Sequence, residues 1–212
     1  MYVLHYYPAN ANLAPHILLE ELGVPYRLAL VDREKGAHKS AAYLKLNPAG
    51  LIPVLVDGDL VLPEAAAICL HLVDKHPEVK MAPEAGTSER AHFYRWLVYL
   101  TNTLQVNVNQ HIYADRLADD EAGVEVVRRH LHARVSAALD IIEDHLASGG
   151  PWMLGERYCA VDPFLFMLCR WTRNMPNPAR ARPNLKRFLD AMMRRPAVQR
   201  THQQEEIVSP YY

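Results

Sequence analysis

Hydrophobic and polar positions change their spacing several times along this chain. Residues 2–7, Tyr-Val-Leu-His-Tyr-Tyr, are an apolar run of strand length. A helix follows, capped by Asn12, with Pro15 in its first turn and Gly23 after its end. Residues 26–31 alternate like a second strand. "KSAAYLKL", residues 39–46, predicts a short helix stopped by Asn47-Pro48. Residues 52–56 are a short apolar strand, and Asp57-Gly58 marks a hairpin before Leu60-Val61-Leu62. Pro63-Glu64 then opens a helix that runs to Pro77. The first three strands are joined through helices and the last two by a hairpin. That order predicts a mixed sheet with helices on both faces.

The period changes after residue 88. Phe93, Trp96, Leu97, Leu100 and Leu104 recur near 3.6 residues, and so do Val127, Leu131, Val135, Ala138, Ile142 and Leu146. "VDPFLFMLCRWTRN" is a shorter, almost wholly apolar helix, expected at the centre of a bundle, and "NLKRFLDAMMRRP" closes the set. "PEVKMAPEAGT", residues 77–87, has two prolines and a glycine and reads as a linker. The expected domains are therefore an α/β unit over 1–76, the linker 77–87, and an all-α unit over 88–212.

Composition narrows the partners. The chain has 212 residues, 50% of them hydrophobic, with a formal net charge of -1. That balance gives no electrostatic case for nucleic acid or an acidic membrane surface. The odd set Cys69, Cys159 and Cys169 has neither CxxC nor metal-ligand spacing, so buried free thiols, no disulfide framework and no metal are expected. No apolar run is long enough to span a bilayer, and the N-terminal residues lack signal-peptide character, so a cytoplasmic location is expected.

Candidate chemistry begins at "PANANLAPH", residues 8–16, where a strand turns into a helix and exposes unpaired amides. Two further segments extend it: "NPAGLIPVLVDGDLVLPEAAAI" and "PWMLGERYCAVDPFLFMLCRW". Together with "YYPANANLAPHILLEELGVPY" they resemble the cytosolic glutathione transferase family, nearest to its bacterial beta type. The resemblance implies a thioredoxin-like glutathione-binding domain followed by an all-α helical bundle that holds the second substrate. It also implies a homodimer, with glutathione as substrate and an apolar electrophile as its partner in detoxification.

Residue by residue, the resemblance implies a cis Ile52-Pro53 bond, with the Ile52 backbone clamping the cysteinyl part of glutathione. Glu64 and the next residue hold the γ-glutamyl end; the usual serine is Ala65 here, which leaves a backbone N–H and no hydroxyl. Lys35 or Lys39 meets the glycyl carboxylate. The family's cysteine and serine at the first turn are Ala11 and Asn12, so reduction through a protein thiol at that turn is excluded. Tyr6 matches the first-strand tyrosine. A free thiol, with pKa about 8.5, needs only donors and a helix N-terminus to favour its anion. The NH₂ group of Asn12 or Asn10 is such a donor; alternatively, Asn12 caps the helix through its oxygen. Beta-type proteins carry His-Lys on the first long helix, replaced here by Gln105-Val106. Asn102, Gln105 and Asn109 share one face at helical spacing, either solvated or touching the second substrate. Asp162 is expected to cap the buried helix. Two other functions share these residues: disulfide reduction by two glutathione molecules, and glutathione binding without catalysis.

Overall fold

The computed structural model describes residues 1–212, in two compact units. The first unit contains β1 (Tyr2–Tyr6), α1 (Leu13–Leu22), β2 (Tyr26–Leu30), α2 (Ala41–Leu44), β3 (Val54–Asp57), β4 (Leu60–Pro63) and α3 (Ala65–Lys75). The sheet runs β2-β1-β3-β4. β1 and β2 are parallel, with Leu4 opposite Leu28; β1 and β3 are antiparallel, with Leu4 opposite Leu55; β3 and β4 form the hairpin at Asp57-Gly58. Leu4 and Leu55 are fully buried, and so are Ile17, Leu18, Ile68 and Leu72 from α1 and α3. Gly23 ends α1 at φ 66, a left-handed conformation in which its N–H returns to the Leu19 carbonyl.

The short helix expected over 39–46 divides in two. A 3₁₀ turn covers Ala37–Lys39, and α2 starts only after Ser40, whose Oγ accepts the Tyr43 N–H at 3.2 Å. Ser40 has extended backbone, so one continuous helix cannot pass through it.

The second unit holds α4 (Ser88–Tyr99), a π-helical turn (Leu100–Gln105), α5 (Val106–Ile112), α6 (Glu121–Gly149), α7 (Val161–Trp171) and α8 (Pro183–Met193). The expected core positions Phe93, Trp96, Leu97, Leu100 and Leu104 are all buried. So are Leu131, Val135, Ala138, Ile142 and Leu146, while Val127 near the start of α6 is only half-buried. α7 is buried along its length up to Arg170. Asp162 lies in its first turn, fully buried, and accepts the N–H groups of Met153 and Cys159, each at 2.8 Å.

The division differs from the one read in sequence. The first unit runs through Ala82 and regains residues 193–209, including α9 (Pro196–Gln204). α9 packs on α1. Arg195 forms a two-pronged pair with Glu21, at 2.6 and 2.9 Å, and Arg200 pairs with Glu20. The last three residues belong to the second unit, where Arg170 Nη1 donates to the Pro210 and Tyr211 carbonyls and the Tyr212 hydroxyl donates to Asp190.

Candidate active site

Strand polarity gathers most of the expected residues at one edge of the sheet. β1 ends at Tyr6, and its parallel neighbour β2 ends at Leu30 on the same edge. β3 is antiparallel to β1, so it starts there, just after Ile52-Pro53. β4 returns to that edge and leads through Glu64 into α3. The turn of residues 7–12, the loop of residues 31–40, the Ile52-Pro53 segment and the N-terminus of α3 are thus neighbours. Two helices, α1 and α3, begin at this edge, each presenting unpaired N–H groups and the positive end of its dipole.

Ile52 is buried, and its peptide bond to Pro53 is cis. Its own N–H and C=O make no hydrogen bond within the chain. Those two groups are free to pair with the backbone of another peptide. The preceding Leu51 carbonyl is held by the Tyr43 hydroxyl and the Asn47 amide, both at 2.8 Å. Glu64 is exposed at φ 72 and ψ 111, an unfavourable backbone for a non-glycine residue. The Ala65 N–H behind it has no partner in the chain. Lys35 is bound to Asp32 at 2.9 Å and points into solvent, whereas Lys39 is exposed at the end of the 3₁₀ turn. Beside it stands His38, which sequence reasoning missed. Its Nδ1 is buried without a partner, and its pKa is lowered by burial and then by Arg33 and Lys39. The adjacent pair His38-Lys39 in the charged loop of residues 31–40 was the available signal.

The opening turn does not use Asn12 as the side-chain cap of α1. Asn12 is fully buried and makes no side-chain cap to α1. Its Oδ1 accepts the Tyr7 N–H at 3.1 Å, and its Nδ2 donates to Glu205 Oε1 at 2.8 Å. Glu205 follows α9 and also accepts the Ala9 N–H at 2.8 Å. Buried polar groups must be paired, and a carboxylate arriving from 193 residues away is the strongest acceptor within reach of the amide. Asn10 is half-exposed; its Oδ1 accepts the Ala11 N–H at 2.7 Å, and its NH₂ group has no partner. Ala11 is buried. Tyr6 is half-buried, and its phenol pKa is raised by burial, then by the charges of Glu205 and Glu206, so it stays a protonated donor. Tyr7 turns away, its hydroxyl donating to Glu34 at 3.1 Å and its ring packing beside Ile52.

In the second unit the expected polar face is broken. A π turn holds about 4.4 residues rather than 3.6, so crossing Leu100–Gln105 rotates Asn102 away from Gln105. Asn102 is exposed, while Gln105 and Asn109 are half-buried and remain one turn apart. The buried Asn107 donates to the Thr103 carbonyl at 2.7 Å, holding the junction where the π turn becomes α5. All three cysteines are buried, and burial raises each thiol well above the usual range. None is placed to act as a thiolate.

Residues 13–75 match the glutathione S-transferase N-terminal domain, and residues 125–191 match the glutathione S-transferase C-terminal domain. The chain belongs to the glutathione S-transferase family of enzymes, with its thioredoxin-like first domain and helical second domain. Glutathione S-transferase 3 of Zea mays is 30% identical over 200 residues, spanning 89% of each chain. A glutathione transferase structure from Methylococcus capsulatus has 30% identity and a TM-score of 0.86, covering 98% of this chain and 100% of that one. A glutathione transferase homologue from Sulfitobacter, solved with bound glutathione, has 26% identity and a TM-score of 0.86, covering 96% and 98%. No helix is long and apolar enough to cross a membrane.

Proposed function

We propose that this chain binds glutathione at the sheet edge and joins its sulfur to an apolar electrophile. The observation that carries this is the unpaired Ile52 N–H and C=O beside the N-terminus of α3. A peptide with a free carboxylate satisfies both: its cysteinyl backbone pairs with Ile52, and its γ-glutamyl carboxylate meets the Ala65 N–H at the helix start. Glu64 faces the α-amino group. Lys39 and His38 take the glycyl carboxylate in preference to Lys35, whose charge Asp32 already engages.

The sulfur lies at the turn of residues 8–12. Asn10 NH₂ and the Tyr6 hydroxyl are the donors for its anion: Asn10 is half-exposed with a free NH₂ group, whereas Asn12 is fully buried, its oxygen on the Tyr7 N–H and one of its two N–H groups on Glu205. The thiol gives its proton to water. The thiolate attacks an electrophilic carbon, forming the C–S bond as a leaving group departs or a double bond takes up the electron pair. Gln105 and Asn109 contact the second substrate, whereas Asn102 does not. The enzyme works as a cytoplasmic homodimer; the exposed apolar side chains Tyr94, Val98 and Val106 on α4 and α5 favour self-association.

Calorimetric titration of glutathione, followed by turnover against a panel of electrophiles, tests this. Micromolar to millimolar binding with turnover is expected. Binding with no turnover leaves a glutathione carrier, and no binding refutes the proposal.

A further inference from the structure

Glu205 and His16 are both buried, at 1% and 0% exposure, and neither is used by the chemistry above. Glu205 accepts from Ala9 N–H and Asn12 Nδ2, each at 2.8 Å, and faces His16 Nδ1 at 2.7 Å. Two donors already point at this carboxyl group, so it is an anion and His16 Nδ1 carries a proton toward it. The other ring nitrogen, Nε2, faces Gln204 Oε1 at 2.7 Å and the Tyr26 hydroxyl at 3.0 Å. The orientation of Gln204 is fixed, because its own Nε2 donates to Glu20 at 2.9 Å. Acceptors therefore stand at both nitrogens of His16, the pattern of an imidazolium.

We propose that Glu205 and His16 are positioning residues for the thiol: Glu205 ties down the turn that presents Asn10, and the His16 cation cancels the Glu205 charge at the sulfur. This rests on the glutathione assignment. The carboxylate is needed mechanically, since the Ala9 N–H belongs to the turn itself, where Ala9 sits at φ 57. An uncompensated carboxylate so near would oppose a second anion. Its field reaches the turn, because Glu205 and Glu206 both act on Tyr6. The other charges around His16 are accounted for. Glu20 is engaged by Arg200, Tyr26 and Gln204. Glu206, at the end of α9, is exposed and screened by solvent.

The test is the pH titration of the bound glutathione thiolate by its ultraviolet absorbance. It is made in wild type, His16→Asn, Glu205→Gln and the double variant, with folding checked by circular dichroism. His16→Asn keeps a donor toward Glu205 and removes the cation. It is expected to move the thiol titration alkaline by about one pH unit, a tenfold loss of thiolate at neutral pH. Glu205→Gln leaves His16 unbalanced and moves the titration acid. The double variant, again neutral, returns toward wild type. A merely structural role predicts the reverse, with the double variant more damaged than either single one. An unmoved titration in His16→Asn, or a double variant shifted at least as far as His16→Asn, overturns the proposal. If His16→Asn does not fold, Glu205→Gln decides: an acid shift supports the proposal, and an alkaline or absent shift overturns it. Absence of a thiolate band in wild type refutes the glutathione assignment, and the present proposal with it; a normal band in wild type with unmoved variants refutes the present proposal alone.

Discussion

Replacing Asn12 by alanine separates support of the turn from chemistry at the turn. The side chain is fully buried and makes two hydrogen bonds, to the Tyr7 N–H at 3.1 Å and to Glu205 at 2.8 Å. Losing the first leaves a backbone donor unsatisfied, costing about 1–3 kcal/mol. Losing the second removes a charge-assisted bond from a buried carboxylate that keeps two other donors, costing about 1.5–3 kcal/mol. Part of this overlaps where the turn relaxes, so Asn12→Ala is expected to destabilise the protein by about 3 kcal/mol. For a chain of this size that lowers Tm by roughly 6–12 °C. Urea unfolding followed by circular dichroism measures the loss, and the bound-thiol titration is run beside it. The expected result is a large stability loss with the thiol pKa moved by less than about half a unit. A variant as stable as wild type whose thiol titration moves alkaline by about a unit would refute the reasoning and return Asn12 to the sulfur.

Asn10→Ala should shift the balance the other way: losing the acceptor of the Ala11 N–H costs only about 1 kcal/mol in unfolding, while steady-state kinetics show kcat/KM falling about tenfold or more as the thiol loses a donor. Ala65→Ser should restore a hydroxyl at the start of α3 and tighten glutathione binding about tenfold by calorimetry, since Ala65 is buried at 5% exposure and the new group faces the same carboxylate as its N–H. Glu64→Gly should relieve roughly 1 kcal/mol or more of backbone strain in thermal unfolding while weakening glutathione binding. His5 has a lowered pKa, by burial and then by Arg27, so its neutral form is the one the fold holds. Its contribution is complete above pH about 6.5, the unfolded value, and is lost as pH falls through the lower folded value. His5→Gln should flatten the pH dependence of unfolding free energy below about pH 6.5, leaving the slope from His38 and His111, whose pKa values are also lowered.

The local elements of the first unit were legible because their signals are local. An apolar run, a glycine after Leu22, an Asp-Gly turn and a proline before β3 each act within a few residues of themselves. Burial of α7 followed from the apolar run of residues 163–169, and the seams of α4 and α6 from their period. The short helix around residue 41 was misjudged because eight residues with one apolar side do not reveal that Ser40 is extended. The polar face of residues 102–109 failed for a related reason: periodicity assumes 3.6 residues per turn, and the π turn breaks that assumption without a sequence mark.

The sequence by itself determined the element order, the absence of a turn cysteine, and the resemblance that points to glutathione. It left Asn10 and Asn12 equivalent, two amides flanking one alanine. Only the tertiary structure separated them, because the partner that occupies Asn12 is a carboxylate 193 residues further along the chain. Packing and ion pairs with Glu20 and Glu21 likewise carry α9 out of the helical domain, where its sequence position placed it, and onto α1. A buried amide and a buried imidazole must find acceptors wherever the packed chain supplies them, and no local pattern of residues records that pairing.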